Sequence, residues 1–184
     1  MIVETDIDPL IGREVSGYRI LERLGEGGVA VLYRVHDVAN DRVAALKLML
    51  GEMASLPVLS ERFRREALAM SMIRHPNVAA VFDFARNQEG LTYLVMELLN
   101  GRPLETILLE GPLDRARVHK VALDVARGLS AAHAIGFVHR DVKPGNIMVV
   151  GTGPTEQAKL FDFGLVSISM KGDALAQVKL TNFG

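Results

Sequence analysis

The spacing of hydrophobic positions divides the chain into a strand-rich front part and a helix-rich back part. Alternation of apolar and polar residues begins at Tyr18 and recurs at Val29, Val31, Tyr33 and Val35. A period of two is typical of strands that bury one face. Glycines and an Asn-Asp pair separate the first segments, as turn residues do between strands. The pattern predicts strands at residues 18–21, 29–35, 43–50, 78–84 and 91–96.

Longer apolar spacings of three and four predict the helices. One helix is predicted at residues 61–74, and after a connector with little order at 100–103 two more follow, at 104–109 and 114–135. The long last helix carries its apolar stripe at Val118, Val121, Val125, Leu129 and Ala132.

A sheet followed by helices, joined by a loose connector, predicts an α+β fold of two lobes with a cleft where they join. We assign residues 1–17 to an N-terminal extension, because they show no clear periodicity. Residues 18–99 then form the first lobe and its connection, and residues 100–184 form the helical lobe.

Composition excludes several classes of protein. Lysine and arginine number 21 against 22 acidic residues, a net charge of −1, so the basic excess of a nucleic-acid-binding protein is missing. Cysteine is absent, which excludes disulfides, thiol catalysis and cysteine-ligated zinc. The first residues lack the pattern of a signal peptide, and no apolar run is long enough to span a bilayer. We therefore expect a cytoplasmic protein.

Two short polar motifs carry the chemistry. His139-Arg140-Asp141-Val142-Lys143-Pro144-Gly145-Asn146 is followed, after one predicted strand, by Asp162-Phe163-Gly164. Together they supply two carboxylates, an ammonium and an amide on neighbouring loops. These groups can hold a hydroxyl nucleophile, a terminal phosphate and magnesium.

A glycine-rich segment precedes the second predicted strand: Leu24-Gly25-Glu26-Gly27-Gly28-Val29-Ala30-Val31-Leu32. A dinucleotide-binding loop would continue directly into a helix, whereas this segment continues as a strand. The chain also has no G-x-x-x-x-G-K-[ST] run. Taken alone, the segment is compatible with an ordinary glycine hairpin or with a flap over phosphates.

Lys47 lies in a predicted strand that is otherwise apolar on both faces. A buried ammonium requires a partner, and Glu66 in the predicted helix at 61–74 is the candidate. The alternative is a lysine at a strand edge that reaches solvent, with a solvated glutamate.

The loop motifs, in this order and after the glycine segment and Lys47, resemble those of eukaryotic-like (Hanks-type) serine/threonine protein kinases of the bacterial kind. The resemblance implies a kinase fold, ATP and magnesium as cofactors, and a protein substrate with a serine or threonine hydroxyl. Ala30 stands where the family usually has a third glycine. Lys143, two places after Asp141, is typical of the serine/threonine branch.

The resemblance also implies roles for individual residues. Asp141 would orient the substrate hydroxyl, Lys143 would contact the γ-phosphate, and Asn146 and Asp162 would bind magnesium. The nucleotide would be held by the flap, by the adenine walls, by the Lys47–Glu66 pair and by the hinge, with Met96 as gatekeeper. These positions are Leu24, Gly25, Glu26, Gly27, Gly28, Val29, Ala30, Leu32, Ala45, Lys47, Glu66, Met96, Glu97, Leu99 and Met148.

The similarity extends from Tyr18 to the end of the chain and stops in the segment after Gly164, before the family's A-P-E motif. Two functions therefore stay open at this stage. One is an ATP-dependent serine/threonine kinase of which this is the N-terminal part, with little activity expected from the 184 residues alone. The other is an inactive nucleotide-binding or interaction module without a substrate platform.

Overall fold

A computed structural model describes residues 8–27, 30–49, 67 and 71–162 of the chain. These residues fall into two compact units. Unit 1 contains the described residues up to 49 together with residues 83–98. Unit 2 contains the described residues from 67 to 82 together with residues 99–162.

Unit 1 is built on an antiparallel sheet whose inner face is apolar. Six strands follow the order β1-β2-β3-β4-β6-β5. Ile20, Val35, Leu46 and Val95 are fully buried in its core, as alternating strand positions predict. The strands are β1 Glu14–Val15, β2 Tyr18–Glu26, β3 Ala30–Asp37, β4 Arg42–Met49, β5 Val81–Arg86 and β6 Thr92–Met96.

The sheet begins before Tyr18, earlier than periodicity predicts. Strand β1 pairs with the start of β2, and Gly12 donates its amide hydrogen to the carbonyl of Ile20 at 2.9 Å. Asp8 accepts a 2.8 Å hydrogen bond from the Tyr33 hydroxyl. Two paired residues are too few to show a period, so only these long-range bonds reveal that residues 8–17 pack on the sheet.

The segment before β5 differs from the prediction of a strand at 78–84. Strand β5 begins at Val81, and Val78 instead forms an isolated parallel bridge with Leu160. Of the helix predicted at 61–74, the described residues Ala67, Ser71 and Met72 are helical, and Ile73 and Arg74 are not. The remainder of that helix lies outside the described residues.

Unit 2 combines two helices with a small sheet. Its core contains residues from both helices and from β8 and β9, including Leu104, Ile107, Val121, Val149 and Leu160. The strands follow the order β7-β8-β9. The elements are β7 Gly101–Pro103, α1 Leu104–Leu109, α2 Arg115–Ala134, β8 Ile147–Val150 and β9 Gln157–Leu160.

The prediction of a loosely ordered connector at 100–103 is wrong. Residues 101–103 form β7, which pairs antiparallel with β8. Gly101 makes this possible, because a Cβ atom there would lie 2.2 Å from the carbonyl oxygen of Val149. A Gly-x-Pro run has no strand propensity of its own, so the pairing depends on contacts distant in sequence.

Helix α2 has clear signals at both ends. The Asp114 carboxylate caps the first turn by accepting from the amide of Arg117 at 2.9 Å. At the other end Gly136 has a φ of +82°, and Phe137 donates back to the carbonyl of Ala132, a common glycine termination. No helix among the described residues is long and apolar enough to cross a membrane.

The buried face of α2 is rotated from the predicted stripe. Val121, Asp124, Gly128 and Ala132 are buried, whereas Val118 is 50% exposed. Of the predicted stripe, Val121 and Ala132 are buried, and Val125 and Leu129 are partly buried against the core. Asp124 and Gly128, which lie outside that stripe, take the other buried positions. This face of α2 packs against β9, the strand that leads to Asp162.

Candidate functional site

The glycine segment in unit 1 forms the turn of an antiparallel hairpin. Strand β2 continues through Leu24, Gly25 and Glu26, with Gly25 opposite Leu32 on β3. Gly27 donates its amide hydrogen to the carbonyl of Ala30 at 2.8 Å. Gly27 lies between the two strands as predicted, whereas Gly25 lies within β2, which extends to Glu26 and not only to the predicted end at residue 21. Gly28 and Val29 lie outside the described residues.

One face of the sheet of unit 1 gathers several of the predicted nucleotide-binding residues. Lys47 lies opposite Leu32, and Ala45 lies opposite Met96. Cross-strand partners share a face, as do residues two apart on one strand. Leu32, Ala45, Lys47 and Met96 therefore present a small apolar surface next to one ammonium group.

Lys47 is half-buried between neighbours on β4 that are all buried. That is the environment in which an ammonium requires a partner, as the sequence suggested. Glu66, the partner implied by the family, lies outside the described residues. Among the hinge positions, Glu97 and Leu99 follow β6 without regular structure and are both partly exposed.

In unit 2 the predicted catalytic residues converge on Asp141. The Lys143 ammonium lies 2.8 Å from Asp141 Oδ2. The side-chain amide of Asn146 donates to that same oxygen at 2.9 Å and to the main-chain oxygen of Asp141 at 2.8 Å. A single 3-10 turn at Pro144–Asn146 folds the chain back so that these contacts form.

These contacts set the charge states of the cluster. The hydrogen bond from Lys143, followed by that from Asn146, lowers the pKa of Asp141. The same bond to Asp141 raises the pKa of Lys143. Each charged form stabilises the other, so Asp141 is an anion and Lys143 a cation at neutral pH.

His139, which precedes Asp141 and Lys143, supports their loop through a hydrogen bond to its main chain. His139 is 1% exposed, and its Nδ1 accepts a hydrogen bond from the amide of Asp141 at 3.3 Å. Burial lowers the pKa of His139. A neutral ring retains the acceptor nitrogen that this bond requires.

Asp162 is tied to the loop of Asp141 and Asn146 through the residue before it. Phe161 donates its amide hydrogen to the carbonyl of Asn146 at 3.1 Å. Asp162 itself has a φ of +55°, and Arg140, beside Asp141, has +61°. Left-handed backbone is unfavourable for residues with a Cβ atom and persists where the surroundings impose it. Phe163 and Gly164 lie outside the described residues.

The oxygen donors present fit a hard divalent cation. The amide nitrogen of Asn146 is occupied twice by Asp141, which leaves its oxygen as the part of the side chain that can bind a cation. Among the described residues there is no cluster of three or more His, Cys, Asp or Glu side chains that could hold a metal. Magnesium needs no such cage, because it is usually held by one or two protein ligands together with phosphates.

Met148 lies on β8, on the face opposite to the buried Ile147 and Val149, and is partly exposed. Its cross-strand neighbours are Pro103 and Lys159. An apolar side chain directed away from the core of its own unit is consistent with the predicted role as an adenine wall.

Sequence reasoning missed the polar residues that hold β9. Asp124 accepts from the amide of Ala158 at 3.0 Å, and Asn77 donates to the carbonyl of Ala158 at 2.9 Å. Arg117 makes two hydrogen bonds to Glu156, just before the strand, at 3.0 and 2.8 Å. The one available signal was a lone acidic residue, Asp124, among apolar positions of α2.

Comparison with known proteins identifies the family. The family model described as "Protein kinase domain" matches residues 18–183. The serine/threonine-protein kinase PknA of Mycobacterium tuberculosis is 41% identical over 165 residues. Pkn3 of Myxococcus xanthus, also a serine/threonine-protein kinase, is 36% identical over 171 residues. These alignments cover 86% and 91% of the chain.

Solved structures give a consistent result. The crystal structure of the Mycobacterium tuberculosis PknI kinase domain aligns with a TM-score of 0.72 at 27% identity, over 85% of this chain and 63% of that one. The chain spans 38% of the length of PknA and 31% of that of Pkn3.

Proposed function

Since the chain belongs to the protein kinase family, we propose that it binds ATP with magnesium and that the protein transfers the γ-phosphoryl group to serine or threonine hydroxyls of a protein substrate. The observation that carries the proposal is the cluster of Asp141, Lys143 and Asn146. Its contacts of 2.8–2.9 Å join the three polar groups that this chemistry requires.

Asp141 orients the nucleophile in this proposal. Its carboxylate is 44% exposed, so a substrate hydroxyl can reach it and donate a hydrogen bond. The low pKa of Asp141 makes it a weak base, and positioning is therefore its main contribution, with proton acceptance late in the transfer. Lys143, whose pKa is raised, supplies positive charge beside the transferred group.

Asn146 and Asp162 are the residues that would hold magnesium. Bound magnesium would neutralise charge on the phosphates. The Phe161–Asn146 hydrogen bond keeps the backbone of the two ligand positions in a fixed relation. Lys47 would contact the phosphates, and the apolar surface of Leu32, Ala45 and Met96 would contact the base, with the main chain of Glu97 and Leu99 beside it.

Nucleotide binding is tested by thermal unfolding of the chain with and without Mg-ATP. A ligand at one hundred times its Kd stabilises a fold by about 2.7 kcal/mol. We expect this gain in the wild type and its near-complete loss in Lys47→Met and Asp162→Ala. Equal thermal shifts in all three proteins would contradict the site.

Phosphoryl transfer is tested in a protein extended through the rest of the kinase domain, because little activity is expected from these 184 residues alone. The variant is Asp141→Asn, which keeps the size of the side chain and one acceptor oxygen but removes the charge. We expect a loss of about two to four orders of magnitude in transfer rate, with ATP affinity largely retained. Asp114→Asn is the matched control, because asparagine also caps a helix well. Nucleotide binding without transfer in that extended wild-type protein would instead indicate a binding module.

A further inference from the structure

Strand β9 carries the chain to Asp162, and one of its edges is occupied by β8. The register places Ile147 opposite Leu160 and Val149 opposite Ala158. Backbone groups of alternate residues in a strand face opposite edges. The second edge of β9 must therefore find other partners if it is buried.

The first partners on that second edge are main-chain groups. Leu160 donates to the carbonyl of Asn77 at 2.8 Å and accepts from the amide of Ala79 at 2.9 Å. These two bonds form the parallel bridge at Val78. They satisfy Leu160 but do not reach Ala158, two residues earlier.

Two side chains complete the edge at Ala158. Its carbonyl accepts from Asn77 Nδ2, and its amide donates to Asp124 Oδ2. Ala158 is 1% exposed and Asp124 8%. Without the carboxylate, the amide of Ala158 would be buried with no acceptor among the contacts described for it, which is a costly arrangement.

Asp124 is an unexpected residue for its place on α2. Its neighbours on the buried face are Val121, Gly128 and Ala132, and stability alone would favour an apolar side chain there. A buried carboxylate is unfavourable unless hydrogen bonds compensate it. Arg127 contributes a long ion pair to the other oxygen, with 3.8 Å between Nη1 and Oδ1, whereas the 3.0 Å hydrogen bond comes from Ala158 on β9.

The hydrogen bond at Ala158 bears on the end of the strand. Asp162 lies only four positions after Ala158, and Phe161 between them is bonded to Asn146. Asp162 is held in left-handed backbone, which the surroundings must maintain. Because hydrogen bonds hold the strand at both Ala158 and Leu160, β9 cannot slide along α2. The position of Asp162 relative to that helix is therefore fixed.

We infer that Asp124 is a positioning residue: by holding the amide of Ala158 it fixes β9 against α2 and thereby sets the position of Asp162 relative to Asn146. The inference rests on the proposed function, because it concerns the two residues assigned to magnesium. It predicts that loss of the Asp124 bond acts on magnesium more than on the nucleotide.

The test compares Asp124→Ala with Asp124→Asn, whose amide oxygen still accepts a hydrogen bond. Val121→Ala is the matched control, because it removes apolar contact from the same face of α2, about one turn away, and leaves the Ala158 bond intact. Two quantities are measured: nucleotide affinity as a function of magnesium concentration, and amide hydrogen exchange at Ala158.

In Asp124→Ala we expect exchange at Ala158 to accelerate at least tenfold. The magnesium concentration for half-maximal binding should rise about tenfold, while nucleotide affinity in excess chelator stays within about threefold of the wild type. Asp124→Asn should remain within about threefold of the wild type in both quantities. Val121→Ala should lower Tm without a change in the magnesium requirement.

An unchanged magnesium requirement in Asp124→Ala overturns the inference, and so does an equal rise in Val121→Ala. Asp124→Asn as impaired as Asp124→Ala would show that hydrogen-bond acceptance is not the cause. If Asp124→Ala does not fold, Asp124→Glu replaces it: its longer side chain displaces β9, and the same rise is expected.

The proposed function fails separately, if the wild type shows no magnesium-dependent nucleotide binding. In that event the magnesium part of the inference fails with it. The exchange rate at Ala158 still tests whether Asp124 holds β9. An unchanged rate in Asp124→Ala would contradict this structural part of the inference as well.

Discussion

The close approach of α2 to β9 depends on Gly128, and replacing that residue by alanine tests it. A Cβ atom on Gly128 would lie 2.8 Å from the carbonyl oxygen of Asn77 and 3.0 Å from a methyl carbon of Leu160. The Asn77 oxygen is main chain and accepts the amide hydrogen of Leu160. It therefore cannot rotate away as the end of a flexible side chain would.

Two effects of opposite sign determine how much Gly128→Ala changes the free energy of unfolding. Alanine is a better helix former than glycine by about 1 kcal/mol in a helix interior. Overpacking a close contact costs about 1–3 kcal/mol, and a weakened Leu160–Asn77 bond costs roughly 0.5–1.5 kcal/mol more. Packing outweighs propensity, and we expect Gly128→Ala to destabilise the fold by about 1–2 kcal/mol.

The assay is urea unfolding at constant temperature, supported by Tm, which should fall by roughly 2–4 °C per kcal/mol for a chain of this size. Ala126→Gly is the matched control, on the exposed side of the same helix. It should lose about 1 kcal/mol through propensity alone. Opposite substitutions two residues apart should thus both destabilise. A Gly128→Ala variant more stable than the wild type would refute the packing argument.

Two further predictions concern the sheets. Gly101→Ala should lower the free energy of unfolding in urea by about 2–4 kcal/mol, because its Cβ would meet the main chain of Val149. Gly25→Ala is the control, because a Cβ atom at Gly25 would meet no atom within 4 Å. Equal stability of the two variants would contradict this packing argument. Burial of Asp37 alone would raise its pKa, but hydrogen bonds from Asn40 and Arg42 outweigh it and lower the pKa. The ionised form therefore stabilises the fold above the pKa of an unfolded aspartate, about 3.9, and this contribution disappears as pH falls through the lower folded value. The stability difference between wild type and Asp37→Asn, measured by urea unfolding between pH 7 and pH 3, should shrink with acidification, and a constant difference would count against the argument.

Elements with a strong local signal were predictable from sequence. Alternation located β3, a short apolar run located β4, and helix α1 begins and ends where the sequence predicted. Apolar spacing predicted α2 at 114–135, within one residue of its observed bounds at each end. These features depend on neighbours in the chain, whose hydrogen bonds and apolar spacing are visible in the sequence.

The candidate site was predictable as a set of residues, because a motif records which side chains the chemistry requires. Asp141, Lys143 and Asn146 lie within five residues of one another, so one turn is enough to bring them together. The bond between Phe161 and Asn146, fifteen residues apart, belongs to no local pattern. The left-handed backbone of Asp162 is likewise visible only once the chain is folded.

Tertiary contacts alone decided which residues support that site. The sequence contained Asp124 as the lone acidic residue of α2 and Gly101 in an apparent linker, and local propensity argued against the places they take. Each makes contact with residues more than thirty positions away, the amide of Ala158 and the main chain of Val149. Periodicity and propensity report only on near neighbours, whereas a buried polar group or a close backbone approach is determined by the distant segment that packs against it.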